Sequence, residues 1–138
     1  GATTYMKVAR VNNINDTIRK LKEEGLWIIG TDGEAKTYYY NQDLKGPIAI
    51  IIGSEGFGMS KLVKENSDIL VKIPMQGKIT SLNASVSAGI IIYEAVKQIS
   101  QQKGYDAVID RASASSIIFA SPRIDISNEV LSKLGYSN

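Results

Sequence analysis

The sequence predicts an α/β fold in which helices cover a mostly parallel, layered sheet. Runs of β-branched residues, of which Ile48–Ile52 is the clearest, are typical of parallel strands buried on both faces. Such runs alternate with helical segments along the chain, which also favours a parallel sheet. With 138 residues and 43% apolar content, the chain is long enough for one well-buried core.

The first third of the chain predicts a strand, a helix and a second strand. Residues Tyr5–Val11 alternate between apolar and polar types, as in a half-buried strand. The run Asn13–Asp16 is rich in helix-capping residues, so we expect a helix over Asn15–Glu24 that ends at Gly25. The apolar segment Leu26–Gly30 predicts a buried strand.

The middle of the chain continues the alternation. We expect a short edge strand over Tyr38–Tyr40 and a short helix over Ser60–Ser67. Ile69–Ile73 predicts the next strand, and Leu82–Ser100 predicts a long helix with a mostly apolar face. In the tail, Ala107–Ile109 and Ile117–Phe119 predict strands, and a helix over residues 127–134 is expected to follow.

The composition excludes several kinds of site. The chain has neither cysteine nor histidine, which excludes disulfides and thiolate metal sites and removes the commonest metal ligand. No apolar run is long enough to span a bilayer, and residues 1–10 lack the order of a signal peptide. We therefore expect a soluble, cytoplasmic protein without a metal site. The net charge of +2 does not by itself indicate nucleic-acid binding.

Two loops carry the most informative residues. The strand Ile48–Ile52 runs into Gly53-Ser54-Glu55-Gly56, a turn with few side chains, where main-chain groups can approach a ligand closely. The strand Ile69–Ile73 runs into Pro74-Met75 and a helix start at Ser81-Leu82-Asn83, which offers further N–H donors. The alternative is structural: turn glycines, helix-capping Ser81 and Asn83, and a core Met75.

The order GSEGFGMS followed by IPMQGKITSLNASV resembles the second and third motifs of the SpoU (TrmH) family of RNA ribose 2'-O-methyltransferases. The likeness extends upstream and covers roughly residues 1–97. It implies the SPOUT fold, an α/β sheet whose C-terminal segment forms a trefoil knot, and S-adenosylmethionine as the cofactor. It also implies methyl transfer to a ribose 2'-hydroxyl of transfer or ribosomal RNA.

The resemblance implies roles for individual loop residues. Glu55 is expected at the active site, near the cofactor and the RNA. Ser81 is expected to help activate a catalytic Arg, and Asn83 to organise the substrate side, so the expected catalytic residues are these three. The expected cofactor-binding residues are Thr31, Gly53, Glu55, Gly56, Ile73, Met75, Leu82 and Asn83.

The expected partners are RNA and a second copy of the chain. Lys61 and Lys78 lie near the motifs and are expected to contact RNA phosphates; the alternative is an ordinary solvated surface. Members of the family usually work as dimers, so a homodimer is expected if the apolar helix Leu82–Ser100 stays exposed.

The chain departs from the family at both ends. The first family motif, Asn-x-Gly followed shortly by an essential Arg, has no match here. We therefore expect that residues 1–97 form a partial methyltransferase domain that is truncated at its amino-terminal end. In the tail, a GYD-x-V strand, a second strand and a D-I-[ST]-x-x-V helix follow each other. On these motifs residues 98–138 resemble the carboxyl end of the Skp (OmpH-like) periplasmic chaperones, and they are expected to pack into the same domain. Because the essential Arg is absent, we expect weak methyl transfer or none. Two interpretations stay open: a cofactor-binding methyltransferase segment, or a catalytically silent chimera in which a foreign hairpin and helix replace lost amino-terminal strands.

Overall fold

The computed structural model describes residues 7–54, 57–76, 81–105, 107–109 and 117–120, the last two ranges as backbone. Its helices and strands are α1 (Ile14–Glu23), β1 (Trp27–Thr31), β2 (Thr37–Tyr38), β3 (Ile48–Ile51), α2 (Lys61–Asn66), β4 (Ile69–Lys72), α3 (Ala84–Lys103), β5 (Ala107–Ile109) and β6 (Ile117–Ala120). A 3-10 turn over Tyr39–Asn41 follows β2. These elements fall into two compact units: the first contains α1, α2, β1 to β4 and the start of α3, and the second contains residues 43–45, the rest of α3 and the β5–β6 hairpin.

The first unit is built on a four-stranded sheet in the order β2-β4-β1-β3. Its three strand pairs, β1 with β3, β1 with β4 and β2 with β4, are all parallel. The predicted α/β class with a parallel sheet is therefore confirmed. Because parallel strands all end at the same edge of a sheet, the loops that follow β1, β3 and β4 lie together.

A small apolar core joins the helices to the sheet. The buried side chains of Ile18 on α1, Ile28 on β1, Met59 just before α2 and Val63 on α2 form one cluster. Gly30 in β1 is buried in the sheet, and a Cβ atom there would lie 2.7 Å from Met59 Cε and 2.8 Å from Leu70 Cδ2. The core therefore packs directly against the backbone of β1, as expected for a buried strand.

Polar contacts fix both the start of α1 and the β1–β4 pairing. The Asn13 side chain accepts hydrogen bonds from the N–H groups of Asn15 and Asp16, as predicted for this capping run. Asp68, just before β4, accepts the Ile28 N–H at 2.8 Å and pairs with Lys22 at 2.9 Å. Burial opposes ionisation of Asp68, but these two contacts outweigh it and lower the pKa of the carboxyl.

The structure corrects several predicted boundaries. Residues 7–11 of the predicted strand Tyr5–Val11 are exposed and form no strand, because they have no partner among the described strands; Tyr5 and Met6 lie outside the described residues. Only the first residue of Tyr38–Tyr40 is in a strand, and the 3-10 turn takes up the other two. The long helix begins at Ala84 rather than Leu82, and the helix predicted over residues 127–134 lies outside the described residues.

The second unit contains the antiparallel β5–β6 pair and most of α3. Gln98 accepts the Leu44 N–H at 2.9 Å and donates to Glu94 at 3.1 Å, and Lys97 donates to the same carboxylate at 3.3 Å. The β5–β6 pair forms a two-stranded sheet of its own. None of the helices in the part of the chain described is long and apolar enough to cross a membrane.

Candidate functional site

A pocket lies in the first unit at the carboxyl ends of β1, β3 and β4. Three loops and the beginning of α3 form its walls, which is where ligands bind in open parallel sheets. The lining residues are Thr31, Asp32, Gly33, Ile52, Gly53, Ser54, Gly58, Val71, Lys72, Ile73, Met75, Ser81, Leu82 and Ser87.

The glycine-rich loop after β3 is closed by backbone contacts. Ser54 N–H donates to Gly58 O at 3.0 Å, and Gly58 N–H donates to Ser54 O at 2.9 Å. Gly58 has a φ angle of +66°, which favours glycine. A Cβ atom on Gly53 would lie 2.8 Å from the Gly58 carbonyl carbon, so only a glycine lets the two arms of the loop approach this closely.

Thr31 ties this loop to the end of β1. Its hydroxyl group donates to Ile51 O at 3.2 Å and accepts the Gly53 N–H at 3.3 Å. The side chain therefore spans two neighbouring strands and holds the first residue of the glycine-rich loop against the sheet. Because its hydroxyl group contacts both the end of β3 and Gly53, Thr31 positions the loop in this structure.

Asp32 places a negative charge on the pocket wall. Its carboxylate pairs with Lys64 on α2 at 2.8 Å and accepts the Glu34 N–H at 3.2 Å, and only 14% of the side chain is exposed. The hydrogen bond from Lys64 lowers the pKa of Asp32 against the opposing effect of burial, and the Glu34 N–H adds to it. The same bond raises the pKa of Lys64, so both groups stay charged near neutral pH.

Another wall of the pocket is mainly apolar. Val71 is fully buried, and Ile73 and Met75 follow it as half-buried side chains in the segment after β4. Ser81, Leu82 and Ser87 complete this wall at the start of α3. An apolar surface with a few polar groups is typical of small-molecule sites.

Asn83 occupies the capping position of α3. Its side-chain oxygen accepts the Ser85 N–H at 2.9 Å and the Ser85 hydroxyl, and its carbonyl oxygen accepts the Ser87 N–H at 2.9 Å. This capping explains why the helix begins at Ala84, after the predicted start.

The structure brings most of the predicted site residues together. The predicted residues that line the pocket are Thr31, Gly53, Ile73, Met75, Ser81 and Leu82. Glu55, Gly56 and Lys78 lie outside the described residues. Lys61 begins α2 with a side chain that is 91% exposed and lies 3.8 Å from Glu65, and it is not part of the pocket lining.

The sequence interpretation did not assign two charged residues to the cofactor pocket that line it in the structure. Asp32 directly follows Thr31 at the end of β1, and Lys72 ends β4. The rule that ligands meet the carboxyl ends of parallel strands could have identified both. Within the ranges described, no three acidic residues come close enough together to hold a metal ion.

The chain matches two protein families. Residues 1–93 match the SpoU rRNA Methylase family, and residues 83–134 match the outer membrane protein (OmpH-like) family. Relatives include the 23S rRNA (guanosine-2'-O-)-methyltransferases RlmB of Pseudomonas putida, 47% identical, and of Photobacterium profundum, 49% identical. Each alignment covers 71% of this chain and 40% of the relative, so the chain spans about two fifths of the length of the curated relatives it matches.

Solved structures of the same kind share the fold. The TrmH/SpoU tRNA modifying enzyme of A. aeolicus aligns with a TM-score of 0.61 and 34% identity, over 68% of this chain and 48% of that one. The SpoU methyltransferase AviRb of Streptomyces viridochromogenes, in complex with the cofactor AdoMet, aligns with a TM-score of 0.56 and 32% identity, over 64% of this chain and 36% of that one.

Proposed function

This chain belongs to the SpoU rRNA methylase family, and on that premise we propose that its pocket binds S-adenosylmethionine for 2'-O-methylation of RNA ribose. The observation that carries the proposal is the convergence of the residues from both sequence motifs on one pocket. Gly53 and Ser54 come from GSEGFGMS, the match to the second family motif, and Ile73, Met75, Ser81 and Leu82 come from the match to the third.

The chemistry of the lining suits an adenosyl ligand. Ile73, Met75 and Leu82 offer an apolar slot for the adenine ring, with backbone polar groups of the loops around it. The ionised carboxylate of Asp32 offers an acceptor for hydroxyl or amino groups of the ligand. Glu55, Gly56 and Asn83 remain proposed site residues on the resemblance alone.

When bound, S-adenosylmethionine supplies an electrophilic methyl group to the ribose 2'-hydroxyl. The protein's contribution is alignment, which supplies much of the acceleration in a displacement of this kind. Thr31 holds the glycine-rich loop in place, and Asn83 holds the start of α3, so hydrogen bonds within the protein support two walls of the pocket. Glu55, near the cofactor and the RNA, and Asn83, on the substrate side, remain proposed catalytic residues, and Ser81 remains the residue proposed to help activate a catalytic Arg.

The proposed substrate class is transfer or ribosomal RNA, because the relatives are named for these molecules. Lys61, which is highly exposed at the start of α2, and Lys78 are proposed phosphate contacts. Since RNA of these classes is made and modified in the cytoplasm, we also propose a cytoplasmic location.

Transfer of a radioactive methyl group tests this function. Purified chain is incubated with tritiated S-adenosylmethionine and unmodified 23S rRNA or tRNA, and labelled nucleosides are separated. Because the family motif with the essential Arg has no match in this chain, we expect at most weak label in 2'-O-methyl nucleosides, and none with the Gly53→Ala variant. Cofactor binding without any transfer would instead identify a catalytically silent scaffold that keeps its pocket.

We propose a homodimer formed through α3. Ile92, Tyr93 and Ile99 are large apolar side chains of this helix that stay exposed. Burying such a patch against a second copy would stabilise a dimer. Sedimentation of the full chain should give a dimer that Ile92→Glu dissociates, whereas a monomeric wild-type chain would contradict the proposal.

We further propose that the chain joins segments of different descent, a methyltransferase part over residues 1–97 and a tail over residues 98–138. The OmpH-like match over residues 83–134 supports this division. The trefoil knot implied by the family stays a prediction. Limited proteolysis of the full chain tests whether the two segments pack as one domain: we expect the tail to resist cleavage as long as the methyltransferase part does, and early loss of the tail would contradict that packing.

A further inference from the structure

Tyr38 lies beside the pocket because of the pairing between β2 and β4. In this parallel pair Tyr38 is the register partner of Lys72, which ends β4 and lines the pocket. The Lys72 ammonium nitrogen lies 4.9 Å from the centre of the Tyr38 ring, within the range of a cation–π contact. One side chain therefore separates the pocket from the tyrosine ring.

A column of aromatic rings continues outward from this contact. The rings of Tyr38 and Tyr40 are stacked, with centres 5.4 Å apart and planes 7° apart. Tyr39 meets Tyr40 edge-on, with centres 5.2 Å apart and planes 76° apart. The 3-10 turn after β2 makes this possible, because it folds the chain back so that residues 38 and 40 face each other. Tyr40, at the outer end, is 44% exposed.

Packing alone does not explain this arrangement. None of the three tyrosines belongs to the buried apolar cluster of the first unit or is among the buried side chains. Lys72 has no carboxylate within 4 Å among the residues described, so its charge is not neutralised by a described partner. An exposed stack of rings with a cation at its base combines the two features that bind single-stranded nucleic acid, namely base stacking and attraction to phosphate.

We propose that Tyr38, Tyr40 and Lys72 form a stacking subsite for an unpaired RNA base next to the pocket. The inference rests on the proposed function, since it assigns the RNA side of the same site. Tyr40 stacks on a base near the target nucleotide, and Lys72 contacts a neighbouring phosphate. Because every base has a π face, the subsite selects unpaired RNA over duplex RNA and does not select a base sequence.

Fluorescence anisotropy of a labelled 12-nucleotide single-stranded RNA of mixed sequence tests this subsite in the full chain. Tyr40→Leu keeps apolar volume and removes the ring, and we expect it to bind about 5- to 150-fold more weakly. Tyr40→Phe keeps the ring and should bind like the wild type. Tyr105→Ala removes another exposed tyrosine, in the second unit, and is the control that should leave the RNA affinity unchanged.

The variant Lys72→Gln tests the phosphate contact. The slope of log K against log salt concentration should be shallower than in the wild type by the contribution of about one phosphate contact.

The two proposals can fail separately. Equal RNA affinity of Tyr40→Leu and wild type, or a wild-type chain that prefers a duplex of the same length, would overturn the stacking subsite even if S-adenosylmethionine binds. An unchanged salt dependence in Lys72→Gln would overturn the phosphate contact. Loss of RNA affinity in Tyr40→Leu, with unchanged affinity for S-adenosylmethionine and an unchanged melting temperature, would support the subsite.

Discussion

Thr31 and Gly53 are joined by a hydrogen bond from the glycine N–H to the threonine hydroxyl, at 3.3 Å. The same hydroxyl donates to Ile51 O at 3.2 Å, so it fixes the point where β3 becomes the glycine-rich loop. The resemblance implies a cofactor-binding residue at position 31. The structure adds a definite task for its side chain, which is to hold the glycine-rich loop against the sheet.

Thr31→Val should weaken the binding of S-adenosylmethionine. Valine keeps the shape of threonine but leaves the Gly53 N–H without its acceptor, which costs about 1–3 kcal/mol for a buried group. We therefore expect the dissociation constant, measured by calorimetry, to rise by between about 5-fold and 150-fold. Thr31→Ser keeps the hydroxyl and should retain most of the affinity. Weaker binding in Thr31→Ser with unchanged binding in Thr31→Val would show that the methyl group, not the hydrogen bond, matters.

Gly53→Ala should both destabilise the chain and remove ligand binding. The new Cβ atom would lie 2.8 Å from the Gly58 carbonyl carbon and 3.0 Å from Met59 N, so the loop backbone must move. Strain of this size typically costs about 1–3 kcal/mol, which thermal unfolding will detect. Gly89→Ala in α3 is the matched control. A Cβ atom there meets nothing within 4 Å, and alanine should stabilise the helix by up to about 1 kcal/mol.

The ion pair of Asp32 and Lys64 should contribute to the free energy of unfolding at neutral pH and lose that contribution in acid. The lowered pKa of Asp32 means that its contribution is complete above the pKa of the unfolded state, about 3.9, and is lost as the pH falls through the lower folded value. Asp32→Asn should therefore be less stable than the wild type at neutral pH, and the difference should shrink below about pH 4. Chemical denaturation at several pH values measures it. A difference that is constant with pH would contradict the ion pair.

Asp68→Ala should destabilise the first unit more than Asp68→Asn does. Alanine leaves the Ile28 N–H without its 2.8 Å acceptor, which costs about 1–3 kcal/mol. Asparagine keeps an acceptor and loses mainly the partly exposed pair with Lys22, which costs less than about 1 kcal/mol. Asp16→Asn is the control, because its pair with Arg19 is largely exposed. If all three variants unfold at the same urea concentration, Asp68 does not anchor the β1–β4 pairing.

The sheet was largely predictable because its strands are strongly apolar. Ile48–Ile52 and Ile69–Ile73 differ from the observed strands by a single residue at the carboxyl end. Residues 7–11 also alternate, but alternation predicts a strand only where a neighbouring strand is available, and none pairs with them among the described residues. Helix α3 starts later than predicted because the Asn83 side chain caps it, and a local hydrogen bond of this kind outweighs apolar periodicity.

The pocket was predictable in its loops but not in its charges. The motifs indicated Gly53, Met75 and Leu82, because glycine-rich turns and helix starts leave a local pattern. The pairing of Asp32 with Lys64 on α2 joins residues that are far apart in sequence, so no local pattern predicts it. The same holds for Lys72 over the Tyr38 ring, which depends on the register between β2 and β4.

Calorimetric titration of the full chain with S-adenosylmethionine, in parallel with Thr31→Val and Gly53→Ala, tests the central claim most directly. We predict saturable binding at one site in the wild type, weaker binding in Thr31→Val and none in Gly53→Ala. A folded wild-type chain that binds no S-adenosylmethionine at millimolar concentration, or binds it as tightly after Gly53→Ala, would contradict the assignment of this pocket.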